Sequence, residues 1–410
     1  MKRSVNTLVF IYNSFNDPLF QNLVLRYVKS LSGKVNGSFH IITFEQDQYR
    51  INDSTKADIK QDLKASNIYW YPLTFHTGRF LLVKKLWDFV QSLWLVLRIR
   101  LKYRTRVIFA FANVAAAIAI VLKKLLRMRM IVYSFEPHSE FMVDLGDWKR
   151  SDMRYKVLKY LENLAGRDAD YIMTGTKYMV ELLTEEGSKA QLYRAPTAVD
   201  PREFLFKPEG RQQVRQKYGV ENRPVFLYLG KFGGLYYTYE IPMMCSAINR
   251  IIPNSFFLVV TSNDHNEIRE MYRNYLDSDD FIVTGDLTYD EVKDYISAAD
   301  IGISGVPPSQ SQKFRSPTKV AEYLLCGLPY ITTLGVSEDD IVANQNKVGV
   351  VVDSFNESVV NDSFILEINR LLDENKDTLR SRCREVGLDY RSMDRIGGYL
   401  EEIYSLIGRA

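Results

Sequence analysis

Lys319 and Glu322, set three apart behind Ser316, Pro317 and Thr318, are the residues of this chain whose types and spacing can do chemistry together. Ser316 is a good N-cap, and Pro317 fits a first helical turn, where its missing N–H leaves nothing unpaired. Gly327 ends the predicted helix, Pro329 prevents its return, and an apolar run resumes as a strand. A helix start carries unpaired N–H groups and a partial positive charge, which suits a phosphate. Residues three apart share one helix face. The Lys319 ammonium can therefore meet a diphosphate while the Glu322 carboxylate accepts hydrogen bonds from ribose hydroxyls, which outlines a site for a nucleotide sugar. On spacing alone, a solvated surface pair contributing a few tenths of a kcal/mol is the simpler reading.

The elements around this pair narrow the choice. Apolar strand-like runs alternate with helical patterns from end to end, which predicts parallel sheets covered by helices. In the first half the predicted strands are Thr7–Tyr12, Phe39–Phe44, Val107–Phe111, Met130–Phe135 and Tyr171–Thr174. Predicted helices fill Pro18–Ser32, Arg79–Leu101, Ala115–Leu126 and Ser151–Ala165. A linker follows near Arg194–Pro201, marked by its two prolines. Strands are then expected at Pro224–Gly230, Phe256–Thr261, Phe281–Thr284, Ile301–Ser304, Tyr330–Thr332 and Gly349–Val352, before a closing amphipathic helix at Tyr390–Ile407.

The run Ser316–Ile331 resembles the signature helix of glycosyltransferase family 4, retaining enzymes of the GT-B fold, and Leu287–Ile303 is similar to the helix and strand that precede it there. The resemblance implies an α/β protein of two doubly wound, Rossmann-like domains facing across a cleft, with the C-terminal helix returning to the first domain. Residues 1–200 then bind acceptor, 201–388 bind the nucleotide sugar, and 389–410 pack back on the first domain. It also implies roles for individual residues. Gly230 and Lys231 match a glycine and basic residue that approach the donor, although the second lysine usual a few positions on is absent from Leu235–Tyr239. Arg315, Ser316, Pro317, Thr318, Lys319 and Glu322 complete the donor-binding set, with Lys231 and Lys319 neutralising the leaving diphosphate. His138 matches a histidine that contacts the donor sugar, and with Lys231, Lys319 and Glu322 it makes up the implied catalytic set. Glu136 and Glu140 beside it are candidates for the acceptor hydroxyl. Asn16 and Asp17 are acceptor candidates too, but capping of a helix at Pro18 explains them equally well. Asp200 matches the aspartate that ends the linker motif and is read as structural. One departure stands out: Phe314 occupies the place of the first of two family glutamates, the one near the transferred ring.

Composition bounds the rest. With 410 residues, 46% hydrophobic and 25% charged, the chain can build two substantial cores. Cys245, Cys326 and Cys383 lack metal or redox spacing and predict a reducing compartment. The first residues read as a strand rather than a signal peptide, and the sixteen apolar residues Val107–Leu122 are too few to span a bilayer, which takes roughly 20. No metal or cofactor is expected beyond the nucleotide sugar as donor substrate. Residues 79–130 carry twelve Lys or Arg against the single acid Asp88, a net +11 in a chain of net +3, so the remainder sums to −8. Trp and Leu interleaved with those charges predict a surface that adsorbs to anionic lipid headgroups. The other reading is a solvated basic face over an aromatic core, and no nucleic-acid module accompanies the patch. The expectation is a cytoplasmic, metal-independent hexosyltransferase peripheral at the inner face of the membrane. It would move a sugar from a UDP- or GDP-sugar, with retention, onto a lipid-linked or cell-surface polysaccharide acceptor. The alternatives are a catalytically silent scaffold partnering an active transferase, which Phe314 favours, or another GT-B enzyme such as a nucleotide-sugar epimerase or a phosphorylase.

Overall fold

The computed structural model describes residues 4–76, 81–134, 136–285, 287–356 and 359–409, and only the backbone of Leu81 and Leu82. Residues 79, 80 and 135, at the ends of two predicted elements, lie outside that description. The chain divides into two compact units, residues 1–196 with 396–410, and residues 197–395.

The first unit is built on seven parallel strands: β1 (Thr7–Ile11), β2 (Phe39–Glu45), β3 (Ile68–Thr74), β4 (Val107–Phe111), β5 (Arg129–Tyr133), β6 (Tyr171–Thr174) and β7 (Gln191–Arg194). Their order is β3-β2-β1-β4-β5-β6-β7. β1 lies between β2 and β4, with Thr7 opposite both Phe39 and Val107. All five β1 side chains are buried, as is usual for central parallel strands covered by helices on both faces. Sequence reasoning missed β3 and β7, the two edges of the sheet. β3 (Ile-Tyr-Trp-Tyr-Pro-Leu-Thr) has an apolar, aromatic run broken by Pro72, which an edge strand tolerates, and β7 (Gln-Leu-Tyr-Arg) is half exposed and shows no apolar run.

The second unit holds β8 (Val225–Leu229), β9 (Phe256–Val260), β10 (Phe281–Thr284), β11 (Ile301–Ser304), β12 (Tyr330–Thr333) and β13 (Gly349–Val352) in the order β10-β9-β8-β11-β12-β13. Both orders reverse direction beside the first strand, between β1 and β4 and between β8 and β11. In doubly wound sheets ligands bind outside the carboxyl ends of the strands at such a reversal.

The run Val107–Leu122 is the strand β4 followed by the helix Ala112–Leu126. The predicted closing helix Tyr390–Ile407 is found as Met393–Arg409, and a separate helix precedes it. Lys376–Arg391 stops at Ser392, whose ψ of 140° is extended, and Met393–Arg409 follows. Residues from Ile396 onward belong to the first unit, where Leu400 and Ile403 are buried, Tyr404 packs against Phe39, and Lys34 reaches Glu401 at 2.6 Å. All three cysteines are buried thiols.

Candidate functional site

The loops after β8 and β11 meet the helix Thr318–Leu325 at the reversal point of the second sheet. That helix is held by its apolar face. The Tyr323 ring lies where a side chain on Gly302 would sit, and its hydroxyl donates to Ile303 O at 3.3 Å and accepts from Leu229 N at 3.2 Å. Tyr323 thereby ties the helix to the ends of β8 and β11 at once.

Lys319 projects from this helix toward the end of β8. Its side chain is buried, and among the described residues its ammonium has no hydrogen-bond partner. The Tyr228 and Tyr236 rings flank it, each centroid 4.7 Å from Nζ. A methyl group on Gly230 would lie 2.8 Å from Nζ, and Gly230 has φ +147°, so only glycine lets the strand end beside this lysine. Burial pushes the Lys319 ammonium down to about 7 against the attraction of Glu322. Burial likewise pushes the Glu322 carboxyl up to about 7 against Lys319. Among the described residues the two share a face without forming an ion pair, and Glu322 has no side-chain hydrogen bond. The solvated-pair reading of Lys319 and Glu322 therefore fails: the lysine is enclosed. Three further buried polar atoms, Ser304 Oγ at the end of β11 and Gln312 Oε1 and Ser337 Oγ in the loops after β11 and β12, also lack partners among the described residues. Orphaned buried polar groups are costly, so the unpartnered Lys319 ammonium points to a ligand that completes it.

The start of the helix departs from the sequence expectation. Pro317, not Ser316, is the N-cap, and no side chain caps the first turn. Ser316 Oγ instead accepts from Thr197 N at 2.9 Å and from the Arg391 guanidinium. Arg391 is fully buried, pairs with the equally buried Asp339, and also donates to Pro317 O at 3.3 Å and Thr197 O at 3.2 Å. Sequence reasoning missed this arginine, which positions Ser316 and Pro317 from 75 residues away. Tyr228 and Tyr236 were missed too, since their pattern is that of core or loop aromatics.

The remaining donor candidates occupy the same corner. Lys231 is exposed, and its carbonyl accepts from the Tyr228 hydroxyl, so one tyrosine holds the Lys231 backbone while its ring faces Lys319. Arg315 is half-buried and Thr318 exposed. Phe314 closes a short 3-10 turn over Gln312–Phe314 and is buried, so no carboxylate occurs there. No group of three or more His, Cys, Asp or Glu side chains able to hold a metal occurs among the described residues.

In the first unit the candidates lie at the carboxyl ends of β1 and β5. Asp17 accepts from Leu19 N at 2.8 Å and Asn13 Nδ2 at 3.1 Å, which is a helix cap, while Asn16 is exposed. His138 begins the helix His138–Asp144, half-buried and edge-on to Trp148. Its loop is fixed by buried Glu162, which accepts from Ser139 N at 3.1 Å, from Ser139 Oγ, and from Asn113 Nδ2 at 3.3 Å; Asn113 Oδ1 in turn accepts from Glu136 N. Burial raises the Glu162 carboxyl to about 7. Ala112 and Ser134, at φ +62° and +58°, follow β4 and β5 directly, and such strained residues gather at functional sites. Glu140 is already engaged, by Tyr155 at 2.7 Å, Arg150 at 3.2 Å and Lys159 at 3.4 Å.

Residues 223–374 match the family model for glycosyl transferases group 1. The matched stretch runs from before β8 to the helix Asp362–Asp373 and contains the whole cluster around Lys319. No curated protein matches the sequence. Among solved structures, a sucrose-phosphate synthase from Thermosynechococcus elongatus superposes with TM-score 0.73 at 16% identity, covering 99% of both chains. HepE from Anabaena, in complex with UDP, gives 0.69 at 13% identity, covering 98% of this chain and 100% of that one. A putative UDP-N-acetylglucosamine 2-epimerase from Listeria monocytogenes gives 0.60 at 12% identity, covering 99% and 97%. At these identities the likeness establishes the fold, which is GT-B.

Proposed function

We propose that this protein is a retaining glycosyltransferase that takes a sugar from a UDP- or GDP-sugar and passes it to a lipid-linked or cell-surface polysaccharide acceptor at the inner face of the cytoplasmic membrane. The observation that carries the reading is the buried, unpartnered Lys319 ammonium beside Gly230 at the reversal point of the second sheet. A diphosphate there supplies the missing counter-charge, and Glu322 accepts from the ribose hydroxyls. Lys231 and Arg315 add positive charge from the adjoining loops. The group 1 match over residues 223–374 supports the same assignment.

In this reading the acceptor oxygen attacks the anomeric carbon on the face the diphosphate leaves. The departing oxygen takes the acceptor's proton, and Lys319 and Lys231 stabilise the charge that develops. Positioning and cationic stabilisation are then the protein's main contributions, and no second carboxylate of the double-displacement kind is required. His138, Glu136, Asn16 and Asp17 are the first unit's candidates for contacts to sugar and acceptor. Glu140, held by Tyr155, Arg150 and Lys159, is assigned to shaping that loop.

A thermal-shift panel of UDP- and GDP-sugars tests the proposal. The right donor at a hundred times its dissociation constant stabilises by about 2.7 kcal/mol, and Glu322→Ala removes the shift. If no nucleotide sugar moves the midpoint, the donor assignment is wrong. Buried Phe314 favours a second reading, a silent scaffold that partners an active transferase. Donor binding without turnover on any acceptor membrane extract would select it.

A further inference from the structure

The helix Leu81–Tyr103 in the first unit turns an apolar face outward. Val83, Trp87, Val90, Trp94, Leu97 and Leu101 recur at steps of four and three, so they line one side, and all six are exposed, Trp94 at 62% and Leu101 at 81%. The opposite side is the packed one: Asp88, Ser92, Val96 and Ile99 are buried. Asp88, the segment's one acid, is held inside by His76, Lys85 and Tyr12. The exposed rim is basic. Arg98 lies over the Trp94 ring at 5.5 Å, and Lys102 is exposed beside Leu101. No helix among the described residues is long and apolar enough to cross a membrane.

Just past this helix a concavity of about 800 Å³ opens at the amino ends of β1 and β4. Arg100, Arg104, Arg106, Arg127 and Arg129 line it, with no acidic residue among the lining groups. None of the five forms an ion pair among the described residues. The neighbouring Lys123 and Lys124 differ, being neutralised by Asp170 and Asp168 at 2.6 Å each. Arg104 and Arg127 hold left-handed backbone, φ +54° and +50°, at the ends of their helices. Arg100 and Arg104 bracket Leu101, so the apolar stripe runs directly into the arginine concavity.

We infer that this face docks on an anionic phospholipid bilayer. The stripe, about 27 Å long from Val83 to Leu101, lies in the interfacial plane, and the five arginines take lipid phosphates. Charge decides against the other occupant the spacing allows, a second copy of the chain. A two-fold pairing of these helices would set basic rim against basic rim with no acid to meet either. An anionic surface complements the rim, at about a fivefold gain in partition for each basic residue near it. The amino end of the helix lies beside the end of β1, where Lys85 sits 5.2 Å from the Tyr12 ring centroid. A bilayer along the stripe thus reaches the edge that carries Asn16 and Asp17. Its use in presenting a lipid-linked acceptor rests on the transferase reading; the docking itself does not.

The test is co-sedimentation of the full chain with vesicles of phosphatidylcholine, with and without phosphatidylglycerol, in the absence of nucleotide sugar. The expected result is binding only to the anionic vesicles, weakened by salt. Brominated acyl chains should quench tryptophan fluorescence in wild type and not in Trp87→Ser/Trp94→Ser, which binds weakly. Arg104→Gln/Arg106→Gln should weaken partition about 25-fold. All four positions are exposed or half-exposed, so donor-induced thermal shifts should be unchanged, and failure here leaves the donor site standing. Equal binding to neutral vesicles, indifference to the tryptophan pair, a lipid-free dimer abolished by Trp94→Ser, or stabilisation by inorganic phosphate without vesicle binding would each overturn the inference.

Discussion

Replacing Lys319 by methionine should make the protein more stable and unable to hold a donor. The substitution keeps a flexible chain of similar length between the Tyr228 and Tyr236 rings and removes an ammonium that has no hydrogen-bond partner. A lysine held at about 7 rather than 10.5 costs the folded state about 4 kcal/mol at pH 7. Part of that is recovered through the two tyrosine faces, so a gain of about 2–4 kcal/mol is expected, roughly 4–16 °C in the midpoint of a unit this size. The sign follows from the lowered value in the fold. Below pH 7 the lysine is charged both folded and unfolded, and the penalty is fully present. Between pH 7 and 10.5 it fades, as the folded state has lost the proton and the unfolded state is losing it. Calorimetric melts of both proteins should show the gap widest at and below neutral pH and closing toward pH 10.5, while UDP-sugar shifts the wild type alone. A variant less stable than wild type, or a gap that grows with pH, would refute the reasoning and make Lys319 a structural cation.

Three further expectations can be checked independently. Donor binding should take up protons at pH 8.5, when the diphosphate recharges Lys319, and release them at pH 5.5, when ribose hydroxyls favour ionised Glu322; titration calorimetry in buffers of different ionisation enthalpy reads the sign, and no exchange at either pH contradicts both roles. Gly230→Ala places a methyl group 2.8 Å from Lys319 Nζ on a backbone of φ +147° and should lower donor affinity at least about tenfold, measured by the same titration. Arg391→Met leaves Asp339 buried without its partner and should cost about 3–5 kcal/mol in urea unfolding, whereas Arg391→Met with Asp339→Leu should recover most of it; equal losses in both would mean the arginine acts by packing alone.

The sequence alone determined the strands that are buried on both faces. Thr7–Ile11, Val107–Phe111, Val225–Leu229 and Ile301–Ser304 are apolar because helices cover them, and an apolar run is visible without any neighbour. It also determined that Lys319 and Glu322 share a helix face, since three-residue spacing is a local property. Edge strand β7 escaped notice because half its residues are exposed and leave no apolar run, and β3 because Pro72 interrupts its Ile-Tyr-Trp-Tyr run. Only tertiary structure could decide the rest. Lys319 is a destabilised, caged ammonium rather than a solvated one because Gly230 follows β8 and two tyrosines from outside the helix close over it. Ser316 takes hydrogen bonds from Arg391 and Thr197 because residues distant in the chain converge there. The basic segment's Trp and Leu divide into a packed side and a bare one, a division set by what the sheet covers. Local spacing fixes which side chains lie together on one element; the field, burial and partners that give them a pKa and a role come from elements the chain brings back from far away.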